Sequence, residues 1–230
     1  MCDLQIPTLY RGDDFNKKIG PLTREKLFQE LEGGQLFTRL LDGGNPSEIY
    51  QSLDVLIQKH VDIGWKKTHF LSFSESEDMA KRYGLYLEPN ADLPKLDEWY
   101  EGSVEKFALI QMNPDKIRFE RYKEGVYCGK YAPGFKENEG KAIEILLIDV
   151  VKWIENNKSN SSKALINSRR DKEWLVLPYT KKHMSGTDTY EYTAKLDMGN
   201  PEAFSYKKYV IHGECQPGED VNFSSNLITE

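Results

Sequence analysis

Asp171 and Glu173 stand two residues apart at the head of the short apolar run Trp174-Leu175-Val176-Leu177. If that run is a strand, alternation turns both carboxylates to one side of its mouth. Two acids placed in this way could serve general acid–base or charge-stabilising work, and with an Arg and a hydroxyl pair at other strand ends they make a combination with a chemical meaning. Ser72 and Ser74, in Phe70-Leu71-Ser72-Phe73-Ser74, repeat that spacing, with Phe73 on the opposite side. Arg11 ends an apolar segment that begins at Leu4. Its guanidinium is a permanently charged fork that matches phosphate or ribose oxygens. His60 sits at the end of an apolar helical stripe upstream of the serines. Each of these residues also has a plain structural reading: Arg11 as an ion-pair partner of Asp13 or Asp14, Ser74 as a helix cap, Glu173 as a solvated strand terminus, His60 as a packed helix residue.

The elements that must position them follow from the apolar spacing. Thr68 to Gly84 reads as a strand (Thr68, Phe70, Leu71, Phe73) running into a helix (Met79, Ala80, Tyr83), with Ser74 and Glu77 as a capping box at the corner. Leu4 to Arg11 is a strand closed by Gly12 and the Asp13-Asp14 pair. Pro21 to Leu31 is an amphipathic helix stopped by Gly33-Gly34. A second helix starts at Asn45-Pro46-Ser47-Glu48, carries Ile49, Leu53, Leu56, Ile57, His60 and Val61, and breaks at Gly64. Residues 85–102, rich in Pro and acid, read as an insertion or lid. Lys106 to Met112 and Ile117 to Tyr122 are strands joined by a turn at Asn113-Pro114-Asp115, and Tyr127 to Gly140 is loop. Apolar residues at 143, 146, 147, 150, 151 and 154 predict a helix from Ile143 to Ile154. A polar linker over Asn156 to Ser162 precedes a basic loop, Ala164 to Lys172. Residues 179–230 supply C-terminal strands and a tail, including a strand at Tyr206 to His212. The whole, residues 1–230, is expected to form one domain.

With 39% apolar residues and 12% aromatics, a chain of 230 residues can bury a core of ordinary size. The net charge of −6 opposes non-specific coating of nucleic acid, which depends on Lys and Arg displacing counterions. A local basic patch at Arg169, Arg170 and Lys172, with Trp174 for stacking, stays compatible with single-strand contact, or is simply a solvated loop. Cys2, Cys128 and Cys215 lack metal-ligand spacing, so no metal and a reducing compartment are expected. No apolar run of signal-peptide or membrane-span length is seen, and a cytoplasmic chain with no membrane contact is expected.

In Leu9-Tyr10-Arg11-Gly12, in Phe70 to Ser74 followed by a helix with Ala80, and in Asp171-Lys172-Glu173-Trp174-Leu175-Val176, the sequence resembles the Arg–Ser–Glu branch of the ADP-ribosyltransferase superfamily. That branch includes the cholera-toxin-like enzymes. The resemblance implies an α+β fold with a split, mainly antiparallel β core and flanking helices that clamp NAD+ as co-substrate. It implies a mono-ADP-ribosyltransferase, a toxin or anti-phage effector, held in check by an antitoxin or chaperone. Arg11 would hold the NAD+ phosphates with Gly12 beside it, Ser72 and Ser74 would order the site, and Glu173 would act on the nicotinamide ribose. His60 resembles a helix-borne His of the toxin branch. Asp171 stands where arginine modifiers carry Glu, so protein arginine and a nucleobase amine both fit as acceptor, with Arg169, Arg170 and Trp174 as acceptor-binding residues. Two alternatives are an NAD+ glycohydrolase that uses water and a non-catalytic module of the same fold that binds ADP-ribose or a partner.

Overall fold

In the computed structural model, which describes residues 5–13, 34–37, 52–63, 70–98, 106–133, 142–157, 162–184, 187–193 and 195–211, the apolar run after Glu173 grows into a 12-residue strand. The strands in chain order are β1 (Leu9–Asp13), β2 (Gln35–Phe37), β3 (Leu71–Ser74), β4 (Leu96–Glu98), β5 (Lys106–Met112), β6 (Arg118–Lys123), β7 (Val126–Tyr131), β8 (Ile143–Asp149), β9 (Glu173–Met184), β10 (Thr187–Tyr192), β11 (Lys195–Asp197) and β12 (Phe204–Ile211). The α-helices among the described residues are α1 (Leu53–Ile63), α2 (Glu77–Gly84), α3 (Val150–Asn157) and α4 (Ser162–Asp171). Ten strands form one sheet in the order β4-β12-β5-β1-β3-β9-β8-β7-β6, with β10 paired to the far end of β9; β2 and β11 form a separate pair. Every ladder among the described residues is antiparallel. The protein is therefore a mixed α+β structure with a mainly antiparallel sheet.

The sheet has a narrow seam. β1 shares five registered residues with β5, from Leu9↔Met112 to Asp13↔Ala108, and β3 shares four with β9, from Leu71↔Val176 to Ser74↔Glu173. β1 and β3 share only Tyr10↔Ser74. Alternation along β9 sends Trp174 and Val176 into a cluster with Leu9, Phe73, Ile110 and Ile145, and sends Leu175 and Leu177 to the other face with Leu56, Ile57, Phe70 and Trp153. α1 and α3 cover that second face. α2 lies over β1 and β5, where Ala80, Phe107 and Leu109 form a third cluster. Its approach is close: a Cβ on Gly12 would fall 2.2 Å from the Ala80 carbonyl oxygen, and one on Gly84 would fall 2.5 Å from the Gly12 backbone.

Several expectations are corrected. Ile143 to Ile154 is not one helix but β8 followed by α3. Ile145 through Val150 are buried without a break because β8 lies between β7 and β9 with both faces covered, so Ile145 to Ile148 are continuously apolar and, with Val150, imitate helical spacing. Tyr127 to Tyr131, read as loop because of its Gly and nearby Pro, belongs to β7. Gly129 is tolerated there because the Phe119 ring occupies the space of its missing side chain. The basic loop at 164–172 is mostly α4. The strands after Lys106 and Ile117 exist, joined by a 3₁₀ turn at Pro114–Lys116, but they pair with other strands and not with each other. Part of the 85–102 segment is β4, an edge strand on β12, and the Arg82 Nε donates to the Ala91 carbonyl at 2.8 Å to hold the connection. The expected helix at Pro21 to Leu31, the helix start at Asn45 to Glu48 and the tail after 211 lie outside the described residues.

Candidate active site

β9 begins beside the β3–α2 corner, and this junction gathers the polar residues. The Glu173 carboxylate, its side chain 23% exposed, is held from two directions. His60 Nε2 lies 3.1 Å from Oε1, and the Ser168 hydroxyl donates to Oε2 at 3.3 Å. Burial pushes the Glu173 carboxyl up, but the bond and charge of His60, with Ser168 and Ser72, outweigh it and leave the group below the usual carboxylate range. The His60 ring is itself buried and stands edge-on to Phe70 at 5.7 Å. Because α1 buries Leu56 and Ile57 on the same face as Leu175, the turn that carries His60 is brought down against the mouth of β9.

Arg11 reaches the Ser72 backbone from the other half of the sheet. Its Nη1 donates to the Ser72 carbonyl at 3.0 Å, just past the single β1–β3 pair, and its Nη2 donates to Asp13 at 3.0 Å. The Nε is buried and without a partner among the described residues. Arg11 alternates with Leu9 and Asp13 on the side of β1 opposite Tyr10 and Gly12, so its guanidinium comes to the seam from the face of the larger core cluster. The Ser72 backbone thus receives the guanidinium on β3, the strand that pairs with the start of β9. Gly12 lies under α2, where its lack of a side chain serves the helix contact and not an open backbone surface.

The corner itself differs from the expected capping box. Ser76 is the N-cap of α2, its hydroxyl accepting from the Met79 N–H at 3.3 Å, while Glu77 pairs forward with Lys81 at 2.7 Å. Ser74 is buried, donates to the Asp171 carbonyl at 2.6 Å and accepts from the Ser76 N–H at 2.9 Å. It thereby ties the β3–α2 corner to the end of α4. The Glu75 N–H adds a bond to the Lys172 carbonyl at 3.2 Å.

Asp171 and Glu173 do not share a strand. Asp171 closes α4, Glu173 opens β9, and Lys172 between them takes φ +48°, the left-handed conformation that ends helices and that glycine adopts most readily. The alternation expected of the pair is thereby broken. Asp171 is buried and carries its own set of donors. Arg170 binds it through Nε at 2.6 Å and Nη2 at 2.9 Å, and the Tyr83 hydroxyl of α2 donates to the same oxygen as Nη2. Burial and the Asp171 carboxylate push the Tyr83 hydroxyl well above its ordinary range. Arg169, on the exposed last turn of α4, pairs with Glu155 of α3. Trp174 is 4% exposed, stacks obliquely on Tyr127 and donates to Glu75 at 2.9 Å, so it belongs to the core and presents no ring for base stacking.

Sequence reading missed Ser168 and Tyr83. Ser168 precedes Glu173 by five residues and meets it only because α4 folds back onto the start of β9. Tyr83 was read merely as part of a helix face. Among the described residues no group of His, Cys, Asp and Glu side chains gathers as a cation site, and no helix is long and apolar enough to cross a membrane. No protein-family model, curated protein or solved structure matches the chain at a significant level.

Proposed function

We propose that the chain is a mono-ADP-ribosyltransferase that cleaves NAD+ and passes ADP-ribose to an N–H nucleophile of a macromolecule, a protein arginine or a nucleobase amine. The observation that carries this reading is Glu173: a carboxylate held by His60 and Ser168 below its ordinary range, still partly open to solvent, at the head of the strand that pairs with β3, where the Arg11 guanidinium binds the Ser72 carbonyl. The antiparallel sheet with its single-pair seam agrees with the split core that the sequence resemblance implies.

The chemistry asks for such a set. NAD+ brings an anionic diphosphate and a cationic nicotinamide, and the Arg11 guanidinium and the Glu173 carboxylate, both set against β3, supply both complements. In this reading Glu173 accepts a hydrogen bond from the nicotinamide ribose. It stabilises the positive charge that builds on C1′ as the bond to nicotinamide breaks and its electron pair leaves with the neutral base. His60 and Ser168 hold the carboxylate in one orientation, so little reorganisation accompanies the charge development. Incubating the purified chain with radiolabelled NAD+ and cell lysate tests transfer, and separate digestion with protease, RNase and DNase identifies the acceptor. Label on macromolecules that Glu173→Gln abolishes supports the reading; no label on any of them removes transfer.

One observation favours a second reading, an NAD+ glycohydrolase. Asp171, the carboxylate that would orient an acceptor N–H, is already engaged by Arg170 and Tyr83. Free ADP-ribose released at one rate with and without lysate would select hydrolysis.

A further inference from the structure

The contact between Arg170 and Asp171 has the form of an acceptor complex made within one chain. The Asp171 side chain is 11% exposed, whereas that of Arg170 is 43% exposed. A largely dehydrated carboxylate thus meets a guanidinium that keeps one flank in water. The contact is bidentate, through Nε and Nη2, and leaves Nη1 out of the carboxylate pair. Tyr83, from a separate helix, donates to the same carboxylate, and the Arg170 Nη2 lies 3.3 Å from the Tyr83 oxygen. The backbone beneath is fixed: Ser74 holds the Asp171 carbonyl and Glu75 holds that of Lys172. The carboxylate therefore stays in place if Arg170 swings out, since its tether to β3 and α2 does not pass through Arg170.

We infer that Asp171, with Tyr83, is a guanidinium-binding position two residues from Glu173 which the chain fills with its own Arg170, so that, of the two acceptor classes proposed above, Arg170 bars the arginine-like one and leaves the nucleobase amine. The inference rests on the transferase reading for its catalytic consequence, though not for binding. An attached side chain competes at a high effective concentration, which an outside guanidinium must exceed. Once Arg170 is removed, an arginine-like molecule can take the bidentate place. One of its nitrogens then bonds to ribose C1′, the C1′–nicotinamide bond breaks, nicotinamide leaves with the electron pair, and the proton lost from the attacking nitrogen passes to Asp171.

Agmatine is the probe. Calorimetric titration of the full chain should give binding to Arg170→Ser that is at least about tenfold tighter than to the wild type, and the gain should vanish in the double variant Arg170→Ser with Asp171→Asn. Arg170→Gln, which keeps the side-chain length and suits the helix, should repeat the gain. Equal agmatine affinity in wild type and both Arg170 variants, or a gain that persists without the Asp171 charge, overturns the inference. A parallel assay with NAD+ separates it from the transferase reading. Formation of ADP-ribosyl-agmatine by Arg170→Ser and only traces by the wild type supports both. Asp171-dependent agmatine binding with no NAD+ consumption by any variant keeps the guanidinium position and removes the transferase. NAD+ consumption without any agmatine gain does the reverse.

Discussion

Glu173 shows how a residue's surroundings decide its charge state. Dehydration alone would favour the neutral acid, and His60, with Ser168 and Ser72, reverses that preference. The sign of the pH dependence follows. A carboxyl whose folded pKa is lowered binds its proton less readily in the native state than in the unfolded chain, so its stabilising contribution is present above the ordinary value of 4.5 and fades as pH falls through the lower, folded value. Comparing urea midpoints of wild type and Glu173→Gln at pH 7 and near pH 4 should show the wild type losing its advantage at the lower pH. An advantage that is constant with pH would mean that Glu173 is not held as an anion by its neighbours. The residue types of this set, Arg11, His60, Ser72 and Glu173, could be picked from the sequence because each chemistry narrows the choice of side chain. Ser168 could not, since a serine in a polar segment carries no mark of the contact that α4 later gives it.

At the scale of elements, legibility tracked how clearly each apolar run is bounded. α1 and β9 were readable: α1 buries one stripe, and β9 begins as an unbroken apolar run after a turn. β8 was not, because burial on both faces erases its alternation and its run passes into α3 without a break. α4 was not, because its sequence is polar on most sides and its Arg169-Arg170 end resembles a solvated loop. The α4–β9 corner also replaced the expected alternation of Asp171 and Glu173 with a left-handed Lys172, a conformation that costs a non-glycine residue about 1–2 kcal/mol. The packing of α2 yields a direct test. Gly12→Ala would place a methyl 2.2 Å from the Ala80 carbonyl oxygen, so the helix must shift. Denaturant titration should find the variant destabilised by about 1–3 kcal/mol, the usual cost of overpacking. A neutral effect would mean that α2 does not sit on β1 as described.

For the molecule as a whole, the sheet is two well-laddered halves, β4-β12-β5-β1 and β3-β9-β8-β7-β6, sharing one registered pair and the Arg11–Ser72 bond. The candidate site lies beside that weak join, where backbone groups released from the ladder meet charged side chains. Native-state hydrogen exchange should therefore find the amides of β8 and the middle of β9 among the slowest, with those of β1 and β3 that face the seam faster. Uniform protection across the seam would contradict a two-half sheet. The central claim, that Glu173 carries an NAD+-cleaving centre, meets its most direct test in nicotinamide release. The wild type should release nicotinamide from NAD+, and Glu173→Gln, which keeps size and most hydrogen bonding but removes the charge, should be slower by roughly 100-fold to 1000-fold. Release by the variant at the wild-type rate, or none from either protein, would contradict it.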